Sequence, residues 1–262
     1  MLEKIDIKDI KDIAIEAGGA IMQIYNQDFS VEYKDDKSPL TKADIKSNEI
    51  ICKALVKLYP DIPIMSEENK QVEYKVRSKW EYYWCIDPID GTKEFIKKNG
   101  EFTVNIALIH KHTPVLGVVY APAIDEIYSA KQGDGAFLND QKLPLKTNKD
   151  INNSINIVAS KSHLSDETKD FIDKLTFNIK HSKLVSKGSS LKLCMVASGE
   201  ADIYPRLAPT MEWDTAAADA IVRESGKMTY QFHSTFNIQD LTSQKPVAYN
   251  KVNLLNPWFV VK

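Results

Sequence analysis

The chain has 262 residues, 43% of them hydrophobic, enough for one large domain or two intimate lobes around a sizeable core. Lysine and arginine total 34 against 36 acids, and the net charge of -2 excludes the basic excess needed to grip polymeric nucleic acid through its phosphates. Any anion this protein binds is therefore expected to be small and held locally.

The opening MLEKIDIKDIKDI alternates charge with isoleucine and lacks the continuous apolar centre of a signal peptide. Ile7, Ile10, Ala14, Ala17, Ile21 and Ile24 recur every three or four positions, which predicts an amphipathic helix packed on a core. A second helix is expected from about Thr41 to Leu58, stopping before Pro60. Between them VEYKDDKSPL is polar and breaker-rich and reads as a loop. From Ile62 to about Leu145 the pattern changes to short β-prone runs, IPIM, YYWCI, FTVNIALIH, PVLGVVYAP, EIYSAK and GAFLN, which predict a largely antiparallel sheet. The polar tract KTNKDINNS is a credible boundary between an N-terminal α+β lobe (1–147) and a C-terminal lobe (148–262).

Beyond that tract, strands and helices alternate. INIVAS, HSKLVS and ADIYP read as strands, and DETKDFIDKL, Ser189 to Ser198 and Glu212 to Ser225 as helices, suggesting an α/β lobe. No apolar run approaches the roughly 18 to 20 residues of a membrane span. Cys52, Cys85 and Cys194 lie far apart inside apolar segments and look like buried small hydrophobes. A soluble protein of the reducing cytoplasm is expected, with peripheral membrane contact left open.

The chemistry concentrates in DPIDGT, residues 87–92, which follow YYWCI directly. Taken alone this is a turn, in which Pro88 pre-sets one dihedral and Gly91 supplies a positive φ. It nevertheless carries Asp87 and Asp90 three residues apart, with Thr92 two residues further on. Glu67 in SEEN follows another strand, and Asp214 lies in the first turn of a helix. Four clustered carboxylates repel one another strongly unless cations sit between them. Oxygen ligands without His or Cys suit a hard ion such as Mg²⁺, and a pair of such ions makes a clamp for phosphoryl transfer. Each piece also has an ordinary explanation: a turn, a solvated acidic loop end at Glu67, and a helix-dipole acid at Asp214. Their combination is far more specific than the parts.

Three stretches, DPIDGTKEF, SEE at 66–68 and WDTAA at 213–217, resemble the signatures of the inositol monophosphatase superfamily of Mg²⁺-dependent, lithium-sensitive phosphatases. Within it, GSSLKLCMVASGEADIYPR and PTMEWDTAA look most like the 3'(2'),5'-bisphosphate nucleotidases of the CysQ type. The resemblance implies an αβαβα layered sandwich and Glu67, Asp87, Asp90 and Asp214 as ligands to two or three Mg²⁺ ions. The Ile89 carbonyl would join them, and Asp87 would bridge two ions. It also implies that Thr92 orients the attacking water and that Asp44, from TKAD, polarises Thr92. The residues alone suggest a local turn hydroxyl and a first-turn helix acid at these two positions.

The implied reaction removes the 3'-phosphate of adenosine 3',5'-bisphosphate, with 3'-phosphoadenylyl sulfate as a further substrate and a role in sulfur assimilation. Gly91, Thr92 and Asp214 would lie against that substrate. GSSLK puts Ser189, Ser190 and Lys192 at a helix N-terminus, where free N–H groups favour a second phosphate, although a lone surface lysine is an equal alternative for Lys192. Ser160, Lys161 and His163 in SKSH are offered to the nucleotide, or form an ordinary polar loop. Arg206 presents a planar fork to a phosphate, or makes a surface salt bridge. Ala218 and Asp219 depart from the Gly, often followed by His, of many relatives, which puts helix packing and substrate fit in question. The alternatives are an inositol or sugar monophosphatase of the same superfamily and a non-catalytic binder of a phosphorylated metabolite. Monomer and homodimer are equally open.

Overall fold

A computed structural model describes residues 1–33, 39–147, 153–160, 164–177, 179–233 and 244–262. Helix α1 (Ile7–Tyr25) and the hairpin of β1 (Val31–Tyr33) with β2 (Pro39–Thr41) lead into α2 (Lys42–Leu58). The tract expected to be a loop thus contributes two short antiparallel strands, which its Pro and charged residues do not announce. Then follow β3 (Ile64–Ser66), α3 (Tyr74–Arg77), β4 (Tyr82–Asp90), α4 (Thr92–Ile96), β5 (Thr103–His110), β6 (Thr113–Ala121), β7 (Glu126–Lys131), β8 (Gly135–Leu138) and β9 (Gln141–Lys142). The C-terminal part holds β10 (Ser154–Ala159), α5 (Asp166–Thr176), β11 (His181–Ser186), α6 (Leu191–Ser198), β12 (Tyr204–Arg206), α7 (Glu212–Glu224), β13 (Thr229–Gln231) and β14 (Phe259–Val261).

Strands β3 to β9 form one seven-stranded sheet in sequence order, parallel only between β3 and β4. Successive side chains on a strand point to opposite faces, so a sheet covered on both sides needs apolar residues at every position. β4 meets this demand: Trp84 and Ile86 join the core beneath α1 and α2, while Tyr83 and Cys85 join the core beneath α6 and α7. On the far side of α6 and α7 lie the parallel pair β10–β11 and the antiparallel order β12-β14-β13, with Phe171, Ile172 and Leu175 of α5 packed against Ile155, Ile157, Ile203 and Val260. The layers are those of an αβαβα sandwich.

Small residues set how closely α7 approaches the large sheet. Ala107, Ala130 and Ala136 from the strands share a core with Ala216, Ala217 and Ala218 of the helix. At Gly117 of β6 an added Cβ would collide with the Ala217 carbonyl oxygen and lie 2.9 Å from Ala220 Cβ. Ala218 is therefore part of the helix–sheet packing, and Asp219 is buried beside it, accepting from Arg223 Nε at 2.9 Å and from the Tyr249 hydroxyl at 3.1 Å. Cys85 and Cys194 are buried, Cys52 is half-buried, and all three are free thiols. No described helix is long and apolar enough to cross a membrane.

Candidate active site

The stretch expected to be a tight turn is instead the end of a strand. β4 continues through Asp90, and its pairing with β5 shifts from Asp87 opposite Asn105 to Asp90 opposite Thr103, which leaves one extra residue on β4. On a regular strand, residues three apart face opposite sides; the bulge breaks that alternation and re-aims the side chains. Pro88 fits there because a bulge does not need its missing N–H. The local polar groups are satisfied: Ser47 Oγ donates to the Pro88 carbonyl at 2.9 Å, and the Ile89 N–H donates to Asp87 Oδ1 at 3.0 Å. Gly91 then turns the chain with φ 94° into α4, where a Cβ would come within 3.1 Å of the Glu101 carbonyl oxygen.

Carboxylate oxygens of Glu67, Asp87 and Asp214 lie within 4.8 Å of one another. These acids come from the end of β3, the end of β4 and the first turn of α7. Burial, followed by the charges of Glu67, Asp90 and Asp214, pushes the Asp87 carboxyl well above the usual range. Burial and then Asp90 raise Asp214 to about 8. Asp90 is also raised, by burial first, with the Ser190 hydroxyl pulling it back. Among the described residues no salt bridge reaches Asp87, Asp90 or Asp214. A buried cluster of hard oxygen donors whose like charges raise one another's carboxyls fits a divalent cation.

Asp44 and Asp214 occupy the same place in their helices, and in both the ordinary reading and the functional one hold together. Asp44 Oδ2 caps α2 by accepting from the Thr41 N–H at 2.8 Å and the Thr41 hydroxyl at 2.7 Å, which leaves Oδ1 for Thr92 Oγ1 at 3.2 Å. Asp214 Oδ2 accepts from the Met211 N–H at 3.0 Å. A carboxylate three residues into a helix reaches back to the cap with one oxygen and keeps the other free to serve elsewhere. Thr92 Oγ1 also lies 3.3 Å from the Ile89 carbonyl, so its single proton has two acceptors. Asp44 is itself raised above the carboxylate range, by burial first.

Beside the acids opens a cleft of about 590 Å³ of empty space lined by, among others, Asp90, Gly91, Ser160, Ser189, Lys192, Arg206 and Asp214. Lys192 is not a surface lysine: it is buried, its ammonium donates to the Ser189 carbonyl at 2.7 Å, and burial lowers it to about 8. Arg206 makes no salt bridge among the described residues; Nη2 donates to the Pro209 carbonyl at 3.0 Å, and its buried Nε has no partner. The helix expected from Ser189 begins at Leu191, because Ser189 takes the left-handed φ of 46° and presents a buried hydroxyl without a partner. Ser190 Oγ lies 2.7 Å from Asp90 Oδ2 and 2.6 Å from the Asp214 carbonyl, and accepts from Asn105 Nδ2 at 2.8 Å. Its hydroxyl is thereby committed to the acidic cluster. Lys161 and His163 lie outside the described residues.

The sequence profile of the inositol monophosphatase family matches residues 1–256. The chain belongs to that family. A relative from Salmonella typhimurium named "3'(2'),5'-bisphosphate nucleotidase CysQ" is 43% identical across 97% of this chain and 98% of its own length. One of the same name from Buchnera aphidicola is 45% identical across 83% and 81%. Among solved structures, CysQ from Bacteroides thetaiotaomicron, described as a bacterial member of the inositol monophosphatase family, superposes with a TM-score of 0.83 at 41% identity, covering 98% and 96% of the two chains.

Of the site residues read in sequence, Asp90, Gly91, Ser160, Ser189, Ser190, Lys192, Arg206 and Asp214 line the cleft, Glu67 and Asp87 meet Asp214 in the cluster, and Thr92 bonds to Asp44 and lies 3.3 Å from the Ile89 carbonyl. Residues not foreseen include Asn105, which ties Ser190 to Thr103, and Glu101, whose Oε2 accepts from the Gly188 N–H at 2.8 Å. Asn105 had a signal, a buried amide in the otherwise apolar run VNIALI. Glu101, in a loop, had none.

Proposed function

We propose that the chain is a Mg²⁺-dependent phosphatase that hydrolyses the 3'-phosphate of adenosine 3',5'-bisphosphate to AMP and phosphate, with 3'-phosphoadenylyl sulfate as a second substrate. One observation carries this reading: the carboxylates of Glu67, Asp87 and Asp214 converge within 4.8 Å at the edge of a cleft that also holds Lys192 and Arg206. Acids that would repel one another adjoin cations that would attract an anion. In this reading Glu67, Asp87, Asp90, Asp214 and the Ile89 carbonyl hold two or three Mg²⁺ ions. Such ions, when bound, supply Lewis-acid polarisation of the phosphate and a lowered pKa for water.

The remaining steps fall to the chain. Thr92 Oγ, fixed between Asp44 and the Ile89 carbonyl, orients the attacking water by hydrogen bonding. Asp44 keeps that hydroxyl pointed and acts as the base through it: as the water passes a proton to Thr92 Oγ, the Thr92 proton moves to the Asp44 carboxylate. Direct attack by water needs no nucleophilic Ser or Cys, consistent with thiols that are buried or half-buried. Lys192, Arg206 and Ser189 receive the second phosphate of the substrate, and Ser160, Lys161 and His163 border the nucleoside. The N-terminal lobe, residues 1–147, carries most ligands, and the C-terminal lobe, residues 148–262, brings Asp214 and the cationic wall. Two relatives named as bisphosphate nucleotidases, matched over most of their length, support the nucleotide over an inositol phosphate.

Phosphate release in Mg²⁺ from the bisphosphate nucleotide and from inositol 1-phosphate tests the reading. Faster turnover of the nucleotide is expected; faster turnover of the inositol ester overturns the substrate, and activity untouched by Asp90→Asn overturns the metal reading.

A further inference from the structure

Glu212 precedes Asp214 by two residues, and its side chain is wholly buried. Its carboxylate gathers one short segment: Oε2 accepts from the Asn250 N–H at 2.7 Å, and Oε1 from the Lys251 N–H at 3.0 Å and from the Lys251 ammonium. Charge-assisted bonds of this kind are stronger than neutral ones and tolerate little movement. Asn250 has φ 58°, a left-handed conformation that a residue other than glycine keeps only where its surroundings hold it.

The same asparagine clasps Arg77 from the other side. Arg77 Nη1 donates to Asn250 Oδ1 at 2.8 Å, and Asn250 Nδ2 donates back to the Arg77 carbonyl at 2.8 Å. Arg77 ends α3, in the connection from β3 to β4 that starts with Glu67. Asp87 and Asp90 ride together on one strand, and hydrogen bonding to its neighbours fixes their separation. Glu67 and Asp214 instead arrive on separate elements, and the 250–251 segment bonds to Glu212, two residues before Asp214, and to Arg77 in the connection that Glu67 begins. Glu212, Asn250, Lys251 and Arg77 themselves do not line the cleft.

We propose that Glu212 is a positioning residue: through Asn250 and Lys251, and on to Arg77, it holds the Asp214 carboxylate at the distance from Glu67 and Asp87 at which a divalent cation binds. The inference rests on the metal reading above. Replacing Glu212 by Gln keeps the volume but puts an NH2 group, which cannot accept, against the donors on one of the two oxygens. The 250–251 segment must then move, and Asp214 with it. Partners that orient metal ligands are typically worth 10–100-fold in metal affinity.

Titration of Mn²⁺ into the metal-free full chain without substrate, with free Mn²⁺ followed by electron paramagnetic resonance, tests this directly. Glu212→Gln is expected to bind Mn²⁺ at least about 10-fold more weakly than wild type. Lys251→Met should do the same and Lys251→Arg should restore most of the affinity, a pair that decides the matter if Glu212→Gln does not fold. Wild-type affinity in both Glu212→Gln and Lys251→Met overturns the inference, as does a loss fully explained by the unfolded fraction in a melting curve. A wild-type chain that takes up no Mn²⁺ removes the metal reading itself, which separates the two failures.

Discussion

Gly117→Ala tests whether packing of α7 on the sheet, together with the polar contacts of Glu212, places Asp214. The new methyl would collide with the Ala217 carbonyl oxygen and sit 2.9 Å from both Ala217 C and Ala220 Cβ. Carbon atoms in comfortable contact are roughly 3.5 to 4.0 Å apart, so α7 must retreat from β6 by at least about half an ångström. Overpacking of this kind costs about 1 to 3 kcal/mol, and for a chain of this size each kcal/mol lowers Tm by roughly 2 to 4 °C. The expected loss is therefore roughly 2 to 12 °C by calorimetry. Ala217 lies one turn beyond Asp214, so the shift reaches that carboxylate, and on the proposed function the Mg²⁺ concentration for half-maximal activity should rise in the same variant. The control is Gly19→Ala on the exposed face of α1, where a Cβ meets nothing within 4 Å. That change should be neutral or stabilise by about 0.5 to 1 kcal/mol, since alanine is the better helix former. A Gly117→Ala protein with wild-type Tm and wild-type Mg²⁺ response would refute the packing argument.

Thr92→Ala should lower kcat by roughly 10²- to 10⁴-fold and Thr92→Ser by much less, while Thr92→Ala combined with Asp44→Asn should be little worse than the poorer single variant, because the pair acts as a unit; steady-state kinetics at saturating Mg²⁺ read this. Lys192→Met should raise KM for the 3',5'-bisphosphate and leave a 3'-monophosphate ester nearly unaffected. Since burial lowers Lys192 to about 8, the wild-type preference for the bisphosphate should itself fade as pH rises through that value, which KM ratios from pH 6.5 to 9 would show. Without metal, the raised carboxyls of Asp44, Asp87, Asp90 and Asp214 make the unfolded chain the first to give up these protons. Stability in EDTA is therefore full below the ordinary carboxyl range and declines with pH up to about 8, the value for Asp214, by about 1.4 kcal/mol per pH unit for each proton held. Melting temperatures from pH 5 to 8 should fall in EDTA and largely recover with Mg²⁺; a rise with pH in EDTA would contradict the buried cluster.

The periodic helices and the sheet were legible because their signals are local. Ile10, Ala14, Ala17 and Ile21 form a stripe whatever the rest of the chain does, and α1 buries those residues. The acids were legible for a related reason: two carboxylates and a hydroxyl within six residues is unusual chemistry for a turn. What a turn reading could not reveal is that DPID is bulged strand, because a bulge is defined by the partner strand and β5 enters from 13 residues downstream. Likewise the double duty of Asp44, half cap and half partner to Thr92, requires an element 48 residues away.

The sequence by itself determined the element pattern over most of the chain, the near balance of acids and bases and which acids could serve as hard oxygen donors, since each is read from the residues themselves or from their neighbours along the backbone. Only the tertiary structure decided that Glu67, Asp87 and Asp214 share one point, that Lys192 is buried at the cleft and that Ser190 turns toward Asp90. Those outcomes depend on how closely α7 can approach the sheet at Gly117 and on which face the β4 bulge re-aims, quantities set by packing between residues far apart in the chain.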